Sequence, residues 1–396
     1  MYLSFGSPTS LLSSQRCPPR CGRRARWLTA AVIAGMASGC TPAPSNPGGS
    51  GQTSAITTSP ASSSTGPSPA TGPASTPTTN LPSAATEPPG TVVPFRAVAP
   101  DSAVGQRIGL VASNGSDSFS KAVADSIVAQ VQAAGAELIS CDPGANATLA
   151  LDCARRLATQ QVDGWITVKP GDAGEALCAV GPQDVPLITI AAAPLSCETA
   201  EVGANDERAG FLAGMELGRT SRIRDTCAHD ALIIVTNNAT STVSKQRVDG
   251  IRAGFSTQCT GPLTSNEVLV DGGTQDRGYE AFTNALTTMP DDADILLAAV
   301  DDGVALGAAA IPDARADHIT MAAIGAGQPA RCEIIANPRW IGDAALFPDR
   351  YGEVAVPALL DALHGQEIPR NMYIETTFVT ADSLGDYYDI SDCPVR

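Results

Sequence analysis

From residue 107 onward the chain alternates short apolar runs with segments of helical spacing, and this alternation restricts its fold more than any other feature. Residues 108–112 are aliphatic and of strand length, residues 113–118 are small or polar, and apolar side chains then recur at Phe119, Val123, Ile127 and Val131. Gly135 can cap the end of that helix, and a second apolar run, 136–140, follows at once. Strand, polar turn, helix, strand is a βαβ unit. In open α/β sheets ligands bind just beyond the carboxyl ends of the strands. The 113–118 turn is therefore either a ligand loop or a plain connection.

The rhythm continues. Strands are expected at 136–141, 164–168, 186–191 and 202–206, with helices at 152–160, 173–180 and 208–218. It then restarts, with strands at 231–236, 266–270, 295–299, 320–325 and 374–379 and helices at 244–255, 278–287, 303–310 and 352–363. Two series of similar length predict an α/β fold of two Rossmann-like lobes, each a parallel sheet flanked by helices. Ligand would sit where the strand ends of the two lobes face each other, with hinge closure as the natural motion.

The amino-terminal quarter reads differently. Arg16, Arg20, Arg23, Arg24 and Arg26 precede an apolar segment, 27–39, that is too short to span a bilayer comfortably and ends in small residues directly before Cys40. This is the layout of a bacterial lipoprotein signal, although Ala37 stands where such signals usually carry leucine. Residues 1–39 are expected to be the signal peptide. Cys40 would carry the lipid that anchors the chain to the outer face of the cell membrane. Residues 40–100 are expected to form a tether: up to Phe95 they are dominated by Pro, Ser, Thr, Ala and Gly, with Glu87 the only charge. Such a flexible chain reaches on the order of 40 Å.

The formal net charge of the 396 residues is −16, and taking away the five signal arginines leaves −21, which argues against nucleic acid and anionic lipid surfaces as partners. Of eleven cysteines, setting aside Cys17, Cys21 and Cys40 leaves eight: Cys141, Cys153, Cys178, Cys197, Cys227, Cys259, Cys332 and Cys393. An even number in an exported chain favours disulfides. No two of the eight stand two to four residues apart, so no metal is expected, nor any other cofactor. Enzyme chemistry finds no support either. His229, His318 and His364 have no partnering nucleophile motif, and the chain has no Gly-x-Ser-x-Gly and no phosphate-binding Gly-x-x-x-x-Gly-Lys.

Six local patterns stand in an order and spacing that is familiar. They are residues 108–119, Val162-Asp-Gly-Trp-Ile-Thr-Val168, Val185-Pro-Leu-Ile-Thr189, Val202-Gly-Ala-Asn-Asp206, Gln246-Arg-Val-Asp-Gly-Ile251 and Asp301-Asp-Gly-Val-Ala-Leu-Gly307. Over about residues 104 to 396 the chain resembles the type I periplasmic binding proteins, especially the ribose- and galactose-binding branch. The resemblance implies a three-strand hinge, a first lobe of 101–204 plus 347–372, and a second of 205–346 plus 373–396. It implies capture of a sugar-like small molecule for an ABC permease. The alternatives are a ligand-sensing subunit of a membrane receptor or kinase, and a lobe pair that has lost binding and serves as an interaction module.

The ligand-binding positions implied by the resemblance are Ser113, Asn114, Asp117, Phe119 and Ala192 in the first lobe, and Lys245, Gln275 and Asp301 in the second. Asp302 is read as a helix cap. Three polar positions of the relatives are lost: Ala191-Ala192 replaces an Asp-Arg pair, Gly327 an aspartate and Leu346 a glutamine. Asn114, Asn237, Trp340 and Tyr351 stand nearby as replacements, and Asp206 as a possible hinge residue. The implied boundaries put four of the eight cysteines in each lobe. Pairing within lobes leaves nine arrangements, of which the sequential set Cys141–Cys153, Cys178–Cys197, Cys227–Cys259 and Cys332–Cys393 is the one expected.

Overall fold

The aliphatic runs pair edge to edge into two sheets in a computed structural model that describes residues 90–113, 117–191, 193–260, 266–311 and 317–393. Cys40, the signal and most of the tether lie outside the described residues. In chain order the first part is β1 (Thr91–Val93), β2 (Arg107–Val111), α1 (Ser118–Ala133), β3 (Glu137–Cys141), α2 (Ala147–Thr159), β4 (Gly164–Val168), α3 (Gly174–Val180), β5 (Leu187–Ile190) and β6 (Ala200–Ala204). There follow α4 (Asp206–Asp225), β7 (Ala231–Thr236), α5 (Thr242–Gln258), β8 (Glu267–Asp271), α6 (Gln275–Leu286) and β9 (Ile295–Ala299). Then come α7 (Asp302–Ala309), β10 (Ile319–Gly325), α8 (Gln328–Ala336) and β11 (Trp340–Ala345). The chain ends with α9 (Gly352–Leu363), β12 (Asn371–Ile374), β13 (Thr377–Val379) and α10 (Leu384–Tyr387).

The first sheet has the order β1-β12-β6-β5-β4-β2-β3 and the second β13-β11-β10-β9-β7-β8. All pairings are parallel except β11 with β13, which is antiparallel at the sheet edge. Parallel strands need crossover helices on both faces, which is why β4, β7, β9 and β10 are buried along their whole length. Helices α1 and α9 cover one face of the first sheet, and α2 and α3 the other. In the second, α4 and α5 cover one face and α6, α7 and α8 the other.

The chain crosses between sheets three times: from β6 into α4, from β11 towards α9, and from β12 into β13. Each crossing leaves the carboxyl end of a strand, so the carboxyl ends of both sheets meet at the hinge. The single closing strand expected at 374–379 is two strands in different sheets, with Glu375 and Thr376 between them. Tyr373 and Ile374, expected in the second lobe, therefore belong to the first sheet. Disulfides Cys141–Cys153 and Cys178–Cys197 lie in the first lobe, and Cys227–Cys259 and Cys332–Cys393 in the second.

Residues 91–98 are not tether. β1 pairs with β12. Phe95 packs edge-on to Phe347 at 5.6 Å, with the Arg350 guanidinium 4.0 Å from its ring centroid. Arg96 donates its backbone N–H to Glu353 and pairs with Asp361. Three β-forming residues and one aromatic supply here the apolar surface that the rest of the tether lacks.

One close helix contact positions the site. Gly214 of α4 and Gly254 of α5 stand where a Cβ would fall 2.1 Å from the Ile251 carbonyl and 2.0 Å from the Phe211 carbonyl. Only glycine lets these backbones approach so closely, and the approach sets Arg247 against Asp206 at the start of α4.

Candidate functional site

The second lobe ends its strands in carboxylates. Asp301 follows β9 and caps α7: its backbone is extended and its Oδ1 accepts the Gly303 N–H at 2.8 Å. Asn237, after β7, donates to Asp301 Oδ2 at 3.4 Å, and Ser244 Oγ donates to Asn237 Oδ1 at 2.8 Å. Asp302 was expected to be the cap. It is the first helical residue instead, and its Oδ2 accepts the Gly327 N–H at 2.6 Å, across to the end of β10. A Cβ at Gly327 would come 2.8 Å from that carboxylate, so an aspartate at 327 would collide with Asp302. Burial, with Asp301 and Asp343 beside it, pushes the Asp302 carboxyl well above the usual carboxylate range.

Arg247 is buried beneath this row. Its Nε donates to Asp206 Oδ1 at 2.7 Å and its NH1 to the Val300 carbonyl at 2.8 Å. Burial disfavours its charge, but Asp206 and Asp301 outweigh that and hold the guanidinium protonated. Trp340, offered as a ligand contact, is buried in the core and donates its indole N–H to Asp343 at 2.7 Å. Asp343 also accepts the Ala326 N–H at 3.1 Å; burial still pushes it up to about 6. Leu346 is core as well. Lys245 is exposed on the first turn of α5, with no ion pair among the described residues. Gln275 is the exposed first residue of α6, and its backbone packs on Gly307, more than a turn along α7 from Asp301.

The first lobe is built otherwise. Asp117 caps α1, accepting from Ser120 N and Ser120 Oγ, each at 2.8 Å. Lys169, the residue after β4, brings its ammonium 3.3 Å from Asp117 and 4.5 Å from the Phe119 ring centroid. Burial raises the Asp117 carboxyl, but Lys169 and the two Ser120 bonds outweigh it and hold the group below its ordinary value. Phe119 packs edge-on to Tyr351 at 5.5 Å. Ser113 Oγ donates to the Gly144 carbonyl. Asn114 and Ala192 lie outside the described residues.

Where the lobes join, Tyr351 is buried in the field of Asp206, Arg247 and Glu201, and burial pushes its hydroxyl far up. Glu201 of β6 is pushed up to about 7 by burial, then by Glu198 and Asp206. Sequence reasoning named neither Lys169 nor Glu201, although Lys169 carries the signal of a strand-end position.

A profile of the periplasmic binding protein domain matches residues 108–367. The chain belongs to the periplasmic binding protein family. Its structure is similar to an ABC transporter solute binding protein from Mycobacterium smegmatis with bound glycerol, at 20% identity and a TM-score of 0.60 over 74% of this chain and 99% of that one. It is also similar to a glucose-galactose binding protein from Geobacillus stearothermophilus, at 20% identity and a TM-score of 0.57 over 70% and 98%. A solute binding protein from Bacillus halodurans with bound myo-inositol shares 18% identity and a TM-score of 0.59 over 72% and 98%. At these identities the likeness is one of fold. No curated protein matches the sequence.

The chain brings Asp117 and Phe119 together at the start of α1, beyond the carboxyl end of β2 in the first sheet, and puts Asp301 at the carboxyl end of β9 in the second. A cavity of about 930 Å³ lies at the opposite pole of the second lobe, beside Arg224, His229 and Asp294. Arg224 is held there by Asp225, Asp294 and Thr320, so these polar groups bond one another. No cluster of three metal-ligating side chains occurs among the described residues, nor a helix long and apolar enough to cross a membrane.

Proposed function

We propose that this protein is an extracytoplasmic solute-binding lipoprotein that captures a sugar or sugar-like polyol between its lobes and delivers it to an ABC permease. The reading rests on one observation. At the end of β9, Asp301 is oriented by its own helix and by Asn237, whose partner is Ser244. That is a fixed set of acceptors and donors suited to hydroxyl groups, on a wall hinged to one that carries a carboxylate and an aromatic ring. The sugar and polyol ligands named for similar folds support the same class. The signal pattern before Cys40 supports export and anchoring.

The test is a thermal-shift screen of sugars, polyols and sugar acids, followed by calorimetry. A ligand at a hundred times its dissociation constant adds about 2.7 kcal/mol to stability. Asp301→Asn keeps the cap of α7 and removes the charge, so affinity for the ligand found should fall by about tenfold. Unchanged affinity in Asp301→Asn would place the ligand elsewhere, and Cys40→Ser protein that stays with the membrane would remove the lipid anchor.

A further inference from the structure

The first wall contains a recess of about 250 Å³ between the ends of β4 and β5. Gly171, Gly174, Ala191, Ala193 and Leu195 line it, and its charged group, Lys169, turns its ammonium to Asp117 and the Phe119 ring. Apart from Lys169 the lining is glycine, alanine, Pro170 and one leucine, so the recess offers apolar contact and little hydrogen bonding. A Cβ at Gly171 would meet nothing within 4 Å, and one at Gly174 only a Leu195 methyl at 3.7 Å. The space is open, not filled by neighbouring side chains.

Its walls are also preformed. Lys169 and Ala191, the residues that follow β4 and β5, both adopt left-handed backbone, with φ of 44° and 50°. Such conformations in non-glycine residues persist only where the surroundings impose them, and they collect at ligand sites. Here Lys169 N–H bonds the Ile190 carbonyl at 2.9 Å and Ala191 N–H the Val202 carbonyl at 3.1 Å. The loop carrying Leu195 is stapled to α3 by Cys178–Cys197 and by Ser196 N–H on Glu175 at 3.0 Å. A dry apolar cavity of about 150 Å³ is enough to hold benzene. The recess is larger than that and opens on the wall that carries Asp117 and Phe119.

We propose that this recess is a subsite for an apolar substituent carried by a hydroxylated ring, so that the ligand class is an alkyl or aryl glycoside in place of the free sugar. The proposal rests on the sugar-capturing function above. The ring hydroxyls meet Asp301 and Asn237 on the second wall, and the substituent enters between Ala191 and Leu195 on the first.

Calorimetry on the purified full chain would compare galactose and glucose with their methyl, butyl and phenyl glycosides. Each buried methylene brings roughly fourfold in affinity, so the gain should climb along the series and reach at least about tenfold for butyl and phenyl. Ala193 is exposed, and Ala193→Phe fills the recess from its rim without disturbing the core. In that variant the gain should collapse to about twofold or less while free-sugar affinity stays. Free sugars that bind with no gain along the series overturn the subsite and leave sugar capture standing, as does a gain that survives Ala193→Phe. If neither sugars nor glycosides bind, both readings fall. The wild-type series decides the matter even where the variant does not fold.

Discussion

The first lobe ends β4 and β5 on glycine, alanine and a half-exposed ion pair, whereas the second ends β7 and β9 on Asn237 and Asp301 above a buried arginine. Both walls come from the same βα repeat, so the difference lies in the residues that follow each strand. On the second wall three polar groups are each oriented by another: Arg247 by Asp206 and Val300, Asp302 by Gly327, Asp343 by Trp340. Such a network keeps its geometry when water leaves on closure, and it gives directional contacts. On the proposed reading the first wall would recognise by shape, with small residues around a preformed recess. A ligand stabilises the closed form only through contacts on both sides, so on the proposed reading the pairing of a polar grip with an apolar recess would define what closes the lobes.

The largest expected effect is at Arg247. Arg247→Met leaves the half-buried Asp206 without its partner and the buried Val300 carbonyl unbonded, which should cost about 3–5 kcal/mol of stability in urea unfolding. A loss below about 1 kcal/mol would mean that the second wall is not built around this guanidinium.

The disulfides extend the contrast to the body of each lobe. Cys332–Cys393 closes 61 residues in the second lobe and Cys141–Cys153 only 12 in the first. Chain entropy makes these bonds worth about 4.3 and about 2.8 kcal/mol. Removing the second-lobe bond by Cys332→Ala with Cys393→Ala should therefore cost about 1.5 kcal/mol more than Cys141→Ala with Cys153→Ala. The reverse order, read by chemical denaturation, would show that native packing and not loop length sets their worth.

Glu201 tests how far the field of the second wall reaches across the hinge. Its value in the fold, about 7, lies above its ordinary 4.5, because of burial, then Glu198 and Asp206. The folded chain thus holds this proton more tightly than the unfolded one, and stability falls as pH rises from about 4.5 to 7. A shift of that size is worth at most about 3 kcal/mol. Solvent still reaches the group and reduces this to about 1 kcal/mol. Glu201→Gln should be more stable than the parent by that amount at pH 8 and equal to it at pH 4. A parallel pH profile in both proteins would remove Glu201 from the account.

Much of this architecture is legible in the sequence. Runs such as 231–236 and 295–299 are continuous and aliphatic, as strands buried on both faces must be. β11 was not legible, because Asp343 stands in its middle and a buried aspartate reads as loop until Trp340 and Ala326 are seen to satisfy it. β1 was hidden by the composition of the segment before it, and the break between β12 and β13 by an uninterrupted β-forming pattern. In the site, Asp117, Phe119 and Asp301 fall at positions that a strand-end rule finds. The cap of α7 falls on Asp301 and not on Asp302 because capping depends on one residue's backbone, which spacing does not fix. Arg247 acts through partners more than forty residues away, and Glu201 owes its shift first to burial in the folded chain, and no local pattern carries either.

The smallest effect is expected at Lys169. Its pair with Asp117 leaves both side chains about two-fifths exposed, at 42% and 41%, and such pairs contribute 0–1 kcal/mol at the order-of-magnitude level. The ammonium over Phe119 adds roughly 0.5–1 kcal/mol in an exposed setting. Lys169→Met keeps an apolar stem against the ring and removes the charge, and Asp117 retains both bonds from Ser120. Stability should change by less than about 1 kcal/mol. A ligand stacking on Phe119 must displace this ammonium, so its removal offsets whatever hydrogen bond Lys169 would have given. Affinity measured by calorimetry should then move by less than about fivefold, against about tenfold for Asp301→Asn. If Lys169→Met weakens binding as much as Asp301→Asn does, the polar grip lies on the first wall and the contrast between the two lobes is inverted.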